Sequence, residues 1–244
     1  MMKIDYTSYL AHGKNFRQRF LILHYTADNF QTSVTDLTEK QVSAHYLVPT
    51  LKEIDPTYTH DELMVYSLVP ENERAWHAGV IAWQQRTEIN DSSIGIEIVN
   101  LATDTKFEPY PDPQIEVVIQ LCQDVLARYP DMTPANVLGH SDIAVGRKID
   151  PGPLFPWRRL YDRGIGAWYD ESTSKKYQAE FEKSMPSETK IIQKLKDYGY
   201  NYANAPTVLF KAFQMHFRQD NYSGELDAET AAIAYALVDK YVSP

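Results

Sequence analysis

The most informative β-strand of the chain is predicted in the stretch Ser93-Ile94-Gly95-Ile96-Glu97-Ile98-Val99-Asn100. Its three isoleucines alternate with Gly95, Glu97 and Val99, which is the period-two pattern of a strand. Because successive side chains point to opposite faces of a sheet, we expect Glu97 to face away from the isoleucines. The strand would then bury one apolar face and present a carboxylate on the other.

Two more predicted strands each end at a histidine. The apolar run Phe20-Leu21-Ile22-Leu23 is followed by His24, and Val137-Leu138-Gly139 is followed by His140. Short apolar runs that stop at a polar segment are typical of buried strands. We therefore expect both histidines at strand ends, where side chains from different strands can converge.

Weaker patterns complete a predicted α/β domain. Further strands are predicted at 43–48, ended by Pro49, and at 63–69. Helices are predicted at 35–41, with Thr35 as the cap, and at 113–129. Strands that alternate with helices favour an α/β fold with a mixed central β-sheet flanked by helices.

The composition changes after Trp168, which suggests a second unit. Residues 171–186 are polar and are interpreted as a connecting segment with a short helix around 177–181. Three helix-like segments follow, at 188–198, 206–217 and 227–241, the last with Asp227 as its N-cap. The predicted division is a main domain at 1–170, a connecting segment at 171–186 and a small C-terminal three-helix bundle at 187–244 that docks on the main domain.

Composition argues against several classes of function. The formal net charge is -9, and an acidic surface repels nucleic acid and disfavours anionic membranes. No stretch approaches the roughly 20 apolar residues of a membrane span, and the N-terminus shows no signal-peptide pattern. The single cysteine, Cys122, lies in a predicted helix and is interpreted as a buried, inert thiol.

His24, His140 and Asp150 form a candidate metal site. Each follows a predicted strand or lies in a loop just after one, and Gly146 would let the loop between His140 and Asp150 turn. Two imidazoles and one carboxylate suit a tetrahedral zinc ion that keeps its fourth position open for water. The spacing alone also fits a capped loop with a surface histidine.

Several motifs occur in an order that resembles one enzyme family. They are His24-Tyr25-Thr26-Ala27, Ser43-Ala44-His45-Tyr46-Leu47, Ala75-Trp76-His77-Ala78-Gly79, Asn90-Asp91-Ser92-Ser93-Ile94-Gly95-Ile96-Glu97, and Gly139-His140-Ser141-Asp142 through Asp150-Pro151-Gly152-Pro153. Over about residues 4–170 the series is similar to the N-acetylmuramoyl-L-alanine amidases of the AmpD and AmiD type, relatives of the peptidoglycan recognition proteins. Residues 212–217 and 224–230 resemble a peptidoglycan-binding-type helical module.

The resemblance implies roles for the reacting groups. One zinc ion per chain would be held by His24, His140 and Asp150, Glu97 would be the general base, and Lys148 would stabilise the oxyanion. From the residues alone, Glu97 could equally be a solvated edge carboxylate, and Lys148 a solvated charge or a partner of Asp142. Other branches of the family use cysteine at the third ligand position, and the phage enzyme has a tyrosine where this chain has Ala44. The base role therefore falls to Glu97.

Trp76, His77, Arg147 and His45 are the candidate substrate-binding residues. In the family, the segment of Trp76 and His77 lines the groove near the sugar and the stem peptide, and an indole face suits a sugar ring. The alternative is a core tryptophan beside a turn. Arg147 could bind a substrate carboxylate or lactyl oxygen, or be a surface charge. His45 could support the site through a hydrogen bond, or be a core residue.

The function that follows from the resemblance is zinc-dependent hydrolysis of the amide between N-acetylmuramic acid, intact or 1,6-anhydro, and L-alanine. The partners would be peptidoglycan and muropeptide fragments, and a homo-oligomer remains open. The substrate implies the periplasm or cell envelope, with the cytoplasm as the alternative. Competing hypotheses are a module that binds muropeptide without cutting it, and an unrelated zinc peptidase, which the absence of a His-Glu-x-x-His motif disfavours.

Overall fold

The computed structural model describes residues 2–79, 81–103, 105–201 and 205–242. Parts of the predicted 1–170 and 187–244 units, at residues 1, 80, 104, 202–204 and 243–244, therefore lie outside the described residues. None of the candidate site residues is among them. Within the described ranges, no helix combines the length and apolar character that crossing a membrane requires.

A five-stranded mixed sheet forms the centre of the main domain. The strands are β1 (Phe20–Tyr25), β2 (Tyr46–Val48), β3 (Tyr66–Ser67), β4 (Ser93–Ile98) and β5 (Val137–Gly139). Their order across the sheet is β3-β2-β4-β1-β5. All neighbours are parallel except β2 and β3, which are antiparallel. The predicted mixed central sheet is confirmed.

Helices cover the sheet and make up the C-terminal part of the chain. They are α1 (Phe30–Glu39), α2 (Asp112–Arg128), α3 (His140–Ile143), α4 (Trp157–Asp162), α5 (Glu171–Phe181), α6 (Glu188–Tyr198), α7 (Pro206–Phe217) and α8 (Ala228–Tyr241). Short 3-10 turns precede β4, at Ile89–Ser92, and β5, at Pro134–Asn136.

The central strands behave as their sequence pattern predicts. Ile94, Ile96 and Ile98 of β4 are fully buried, whereas Glu97 is partly exposed on the other face. In the parallel pairing of β1 with β4, His24 lies directly opposite Glu97. Side chains directly opposite in register share a face of the sheet, so the pairing sets the predicted base beside a predicted ligand.

Three predicted boundaries in the N-terminal half are wrong. Helix α1 begins at Phe30, because Asn29 caps it by accepting a hydrogen bond from the Thr32 amide (2.9 Å). Thr35 lies inside this helix, where its hydroxyl bonds to the Gln31 carbonyl. The strand predicted at 43–48 begins only at Tyr46, and the strand predicted at 63–69 is limited to Tyr66–Ser67.

The C-terminal helices follow the predicted bounds closely. Helices α6 and α7 coincide with the predicted segments, and Asp227 caps α8 by accepting from the Thr230 amide (2.9 Å). The short helix predicted around 177–181 instead begins at Glu171, because Asp170 caps it by accepting from the Thr173 amide (2.8 Å).

Helix α5 packs on α8 through stacked and edge-on aromatic rings. Tyr177 and Phe181 contact Tyr235 at ring-centroid distances of 5.3 and 4.9 Å. One continuous hydrophobic core joins the sheet to the C-terminal helices. The domain limits given above remain a prediction.

Candidate active site

Three ligand atoms converge at the C-terminal edge of β1 and β5. The Nδ1 atoms of His24 and His140 are 3.0 Å apart, and each lies 3.1 Å from Oδ2 of Asp150. All three residues are buried. Among the described residues, no other group of three or more histidine, cysteine or carboxylate side chains meets the spacing of a metal site.

The hydrogen bond behind His140 leaves its Nδ1 available as an electron-pair donor, and the contacts behind His24 are compatible with the same tautomer. Nε2 of His140 lies 3.1 Å from the Ala78 carbonyl, which can only accept, so Nε2 carries the hydrogen. Nε2 of His24 lies 3.0 Å from Nδ1 of His77, and Nε2 of His77 lies 3.0 Å from the Ser93 hydroxyl. Outer hydrogen bonds of this kind fix the tautomer and the ring orientation of metal-ligating histidines.

The donor set fits a tetrahedral divalent ion. In such a site, ligand atoms about 2.0–2.2 Å from zinc lie about 3.4 Å apart, close to the three separations above. Three electron-pair donors that face one another in a buried site are poorly compatible without a shared cation or proton. The residues therefore form a candidate metal site, and two of its three members, His140 and Asp150, line the cavity.

Burial disfavours protonation of His24 and His77, the two histidines that hydrogen-bond to each other. Burial, together with the neighbouring His140 ring, lowers the pKa of His24 to about 4. Burial and the His24 ring hold the pKa of His77 well below its usual value. Burial acts to raise the pKa of Asp150, but the adjacent His140 and His24 rings outweigh it and lower the pKa below the usual range. A neutral His24 imidazole and an ionised Asp150 carboxylate are the forms in which these two groups can bind a divalent metal.

Gly95 makes room for the His77 ring. A Cβ atom at residue 95 would lie only 2.5 Å from Cγ of His77, which is closer than side chains pack. The strand therefore needs glycine directly beneath the ring that hydrogen-bonds to His24. The His77 backbone is itself anchored, because Asn90 Oδ1 accepts from the amides of His77 (3.4 Å) and Ala78 (3.0 Å).

The loop from His140 to Asp150 closes back on itself, as predicted. The Ser141 amide donates to the Asp150 carbonyl (2.9 Å), which ties the two ligand-bearing ends together. Gly146 turns the loop with a positive φ of 73°, a conformation that favours glycine. The loop therefore brings both of its ligands to one point, and the alternative of a surface histidine is wrong because His140 is buried.

Glu97 lies at the wall of the cavity with one oxygen unpaired. Its Oε2 atom is buried and has no hydrogen-bond partner among the protein atoms. Burial and the nearby Asp150 carboxylate raise its pKa well above the usual value, and the charge of Lys148 lowers it only in part. The interpretation of Glu97 as a carboxylate on an edge strand is wrong, because β4 lies between β2 and β1 in the sheet. The unpaired buried oxygen of Glu97 needs a partner that the surrounding protein atoms do not supply.

A cavity of about 570 Å³ opens next to the three ligands. Glu97, Lys148, Arg147, His77 and Trp76 all line it, together with His140 and Asp150. Trp76 is 54% exposed at its rim, so the alternative of a core tryptophan is wrong. The Arg74 guanidinium covers one face of the Trp76 ring at 4.1 Å.

Arg147 lies at the wall of the cavity, whereas His45 is buried and does not line it. Arg147 lines the cavity and donates to the Ala78 carbonyl (3.0 Å), the same oxygen that accepts from His140. His45 is fully buried away from the cavity walls, where its Nδ1 accepts from the Gly95 amide (3.0 Å) and its Nε2 lies 3.2 Å from the Glu73 carbonyl. The structure thus places every candidate site residue except His45 at the cavity or in the ligand cluster, and His45 packs edge-on against His77 at a ring-centroid distance of 5.8 Å.

The sequence patterns do not reveal Ser93, Asn90 and the Ala78 carbonyl as supports of the site: Ser93 and Asn90 hold His77, and the Ala78 carbonyl holds His140. His77 was predicted to bind the substrate alone, although it bonds directly to His24. The one signal available in the sequence was the glycine at residue 95, inside an otherwise apolar strand, since such a glycine often marks a close approach.

Comparison with known proteins agrees with this geometry. The family model described as N-acetylmuramoyl-L-alanine amidase matches residues 14–153. The chain is 45% identical to the N-acetylmuramoyl-L-alanine amidase AmiD of Escherichia coli over 236 residues, 92% of this chain and 84% of that protein.

Two solved structures resemble the whole chain. AmpDh3 from Pseudomonas aeruginosa, in complex with anhydromuramic pentapeptide, superposes with a TM-score of 0.95 at 49% identity, covering 99% of this chain and 100% of that one. AmiD from E. coli, in complex with anhydro-N-acetylmuramic acid-L-Ala-D-gamma-Glu-L-Lys, gives a TM-score of 0.86 at 42% identity, covering 98% and 95%. The resemblance predicted from the motifs is confirmed: the chain is an enzyme and belongs to the N-acetylmuramoyl-L-alanine amidase family.

Proposed function

We propose that the protein is a zinc-dependent amidase that hydrolyses the bond between N-acetylmuramic acid, intact or 1,6-anhydro, and L-alanine in peptidoglycan or muropeptides. The observation that carries the proposal is the buried triangle of His24, His140 and Asp150 beside a cavity that Glu97 also lines. The anhydromuramic peptides bound to AmpDh3 and AmiD support the substrate class.

One zinc ion per chain would be held by His24, His140 and Asp150. Bound there, zinc would supply positive charge that polarises the scissile carbonyl and makes a water acidic enough to act as nucleophile near neutral pH. Zinc is favoured over harder cations because imidazole nitrogen and a single carboxylate suit it, and because three protein ligands leave one position for chemistry.

Glu97 would act as the general base. Glu97 lines the cavity, its buried Oε2 has no hydrogen-bond partner among the protein atoms, and its position opposite His24 sets it beside the proposed ligands. The carboxylate takes a proton as the water oxygen attacks the lactyl carbonyl carbon, and the carbon–nitrogen bond then breaks. The same proton passes to the departing nitrogen, so L-alanine leaves with a free amine.

Lys148 would stabilise negative charge on the carbonyl oxygen. It lies on the cavity wall, and its charge already acts on Glu97. A fixed cation next to a developing oxyanion is among the strongest contributions an active site makes. Trp76, exposed at the rim, offers an aromatic face to the sugar ring, and Arg147 offers a donor for a substrate oxygen.

The C-terminal helices are proposed to add affinity for polymeric wall, as the resemblance to a peptidoglycan-binding-type module implies. The natural substrate would place the activity in the periplasm or cell envelope, with the cytoplasm as the alternative compartment.

The test is to incubate purified protein with anhydro-muropeptide and, separately, with purified sacculi, and to analyse the products by mass. We expect free stem peptide that begins with L-alanine, loss of the activity after chelation, and recovery with added zinc. Binding of muropeptide without any cleavage, in protein that contains zinc, would favour the binding module instead.

A further inference from the structure

The carboxylate of Asp142 connects the metal site to the C-terminal helices. Its Oδ1 accepts a hydrogen bond from the Tyr200 hydroxyl (2.6 Å), and its Oδ2 lies 2.7 Å from Nδ1 of His216 in α7. The side chains of Asp142 and His216 are 0% and 3% exposed. An ionised carboxylate can only accept, so both partners donate to it.

Asp142 also sets the turn that carries the ligand His140. Its Oδ2 accepts from the Gly139 amide (2.7 Å), a bond that spans His140 and Ser141 and closes the first turn of α3. His140 therefore lies inside a ring of atoms closed by the Asp142 carboxylate. A rotation of this carboxylate would alter the backbone from which the His140 side chain projects.

The two donors from the C-terminal part are themselves held firmly. The His216 ring is stacked between Trp157, at a centroid distance of 3.8 Å, and Phe217, at 4.0 Å. The Tyr200 ring packs edge-on against Trp83 at 4.9 Å and is fully buried. The donors therefore cannot follow Asp142 if it moves, and they fix the position of its carboxylate.

We propose that Tyr200 and His216 position the metal ligand His140 through Asp142, so that the C-terminal helices are part of the catalytic apparatus and not only a wall-binding module. The inference rests on the proposed function, since it assigns these residues to the metal site of the amidase. Removing a hydrogen bond made directly to a metal ligand costs about 10- to 100-fold in metal affinity, and an effect that acts through Asp142 is expected at the lower end of that range. A contact that merely docked the helices would stabilise the fold without changing the affinity of the site.

The test compares Tyr200→Phe and His216→Leu with the unmodified protein. Each variant removes one hydrogen-bond donor to Asp142. Because Tyr200→Phe deletes only one oxygen atom, it should fold and so provides the test even if His216→Leu does not fold. His216→Asn is the rescue variant, because its amide nitrogen can replace Nδ1 as the donor. The matched control is Tyr241→Phe, whose hydroxyl joins α8 to the Trp168 backbone and makes no hydrogen bond to Asp142.

The readouts are the zinc dissociation constant, measured by competition with a chromophoric chelator, the separate values of kcat and KM on a soluble muropeptide, and Tm. We expect Tyr200→Phe and His216→Leu to weaken zinc binding about tenfold and to lower kcat with KM unchanged. His216→Asn should restore most of the loss, and Tyr241→Phe should lower Tm alone.

Unchanged zinc affinity and kcat in both donor variants, with Tm lowered as in Tyr241→Phe, would overturn the inference and leave the amidase proposal standing. Failure of the unmodified protein to bind zinc would overturn the amidase proposal and this inference together.

Discussion

Replacing Gly95 by alanine should weaken zinc binding, although residue 95 is not a predicted ligand. The added Cβ would lie 2.5 Å from Cγ of His77, and ordinary contact begins at 3.4 Å, so the ring must retreat by about 0.9 Å. Strand β4 cannot yield easily, because it is paired on both sides, with β1 and with β2. Displacing the His77 ring would therefore distort its two hydrogen bonds, to His24 and to Ser93, each 3.0 Å long.

The expected loss of zinc affinity follows from these two hydrogen bonds of His77. Removing an outer hydrogen bond from a metal-ligating histidine typically reduces metal affinity about 10- to 100-fold, equivalent to roughly 1.4–2.7 kcal/mol. Forcing a methyl group into a packed site should also reduce the free energy of unfolding of the metal-free protein by about 1–3 kcal/mol. The zinc dissociation constant is measured by chelator competition, and the stability by chemical denaturation.

A double-mutant cycle separates the proposed cause from general damage. In a His77→Ala background the ring is gone, so adding Gly95→Ala should cause little further loss of zinc affinity. Gly13→Ala is the control, since a Cβ there meets nothing within 4 Å. The reasoning is refuted if Gly95→Ala binds zinc as tightly as the unmodified protein, or if it weakens binding equally with and without the His77 ring.

Three further changes test separate parts of the site. Glu97→Gln should keep its zinc and lose about 10²- to 10⁴-fold in turnover, because the base is removed while the ligands stay; full activity in this variant would show that another group takes the proton. His140→Ala should lower the zinc-to-protein ratio found by elemental analysis, and an unaltered ratio would remove His140 from the ligand set. Trp76→Ala should raise KM for muropeptide while kcat and zinc content stay unchanged, since its ring is exposed at the cavity rim and lies outside the proposed ligand set; a fall in kcat with KM unchanged would contradict that role.

The strands that carry the site could be predicted because their patterns are local. Alternation along β4 placed Glu97 on the face opposite the isoleucines, and the apolar runs before His24 and His140 marked the ends of β1 and β5. The motif order then identified the family, which spacing between the ligands could not do. Helices α6 and α7 could also be predicted from the sequence, because their buried residues recur at helical spacing.

Features that depend on tertiary packing could not be predicted. The bond between His24 and His77 joins residues 53 positions apart, and the contact of His216 with Asp142 spans 74. Neither pairing leaves a periodic trace in the sequence. The start of α1 could not be predicted for a local reason. After Asn29 and Phe30, the residues Gln31 and Thr32 are polar and do not continue an apolar stripe.

The measurement that tests the account most directly is X-ray diffraction at the zinc absorption edge from crystals grown with the metal supplied. We predict one anomalous peak per chain, about 2.0–2.2 Å from Nδ1 of His24, Nδ1 of His140 and an Asp150 carboxylate oxygen. A peak bound by other residues, or no peak at these three in zinc-saturated crystals, would contradict the account.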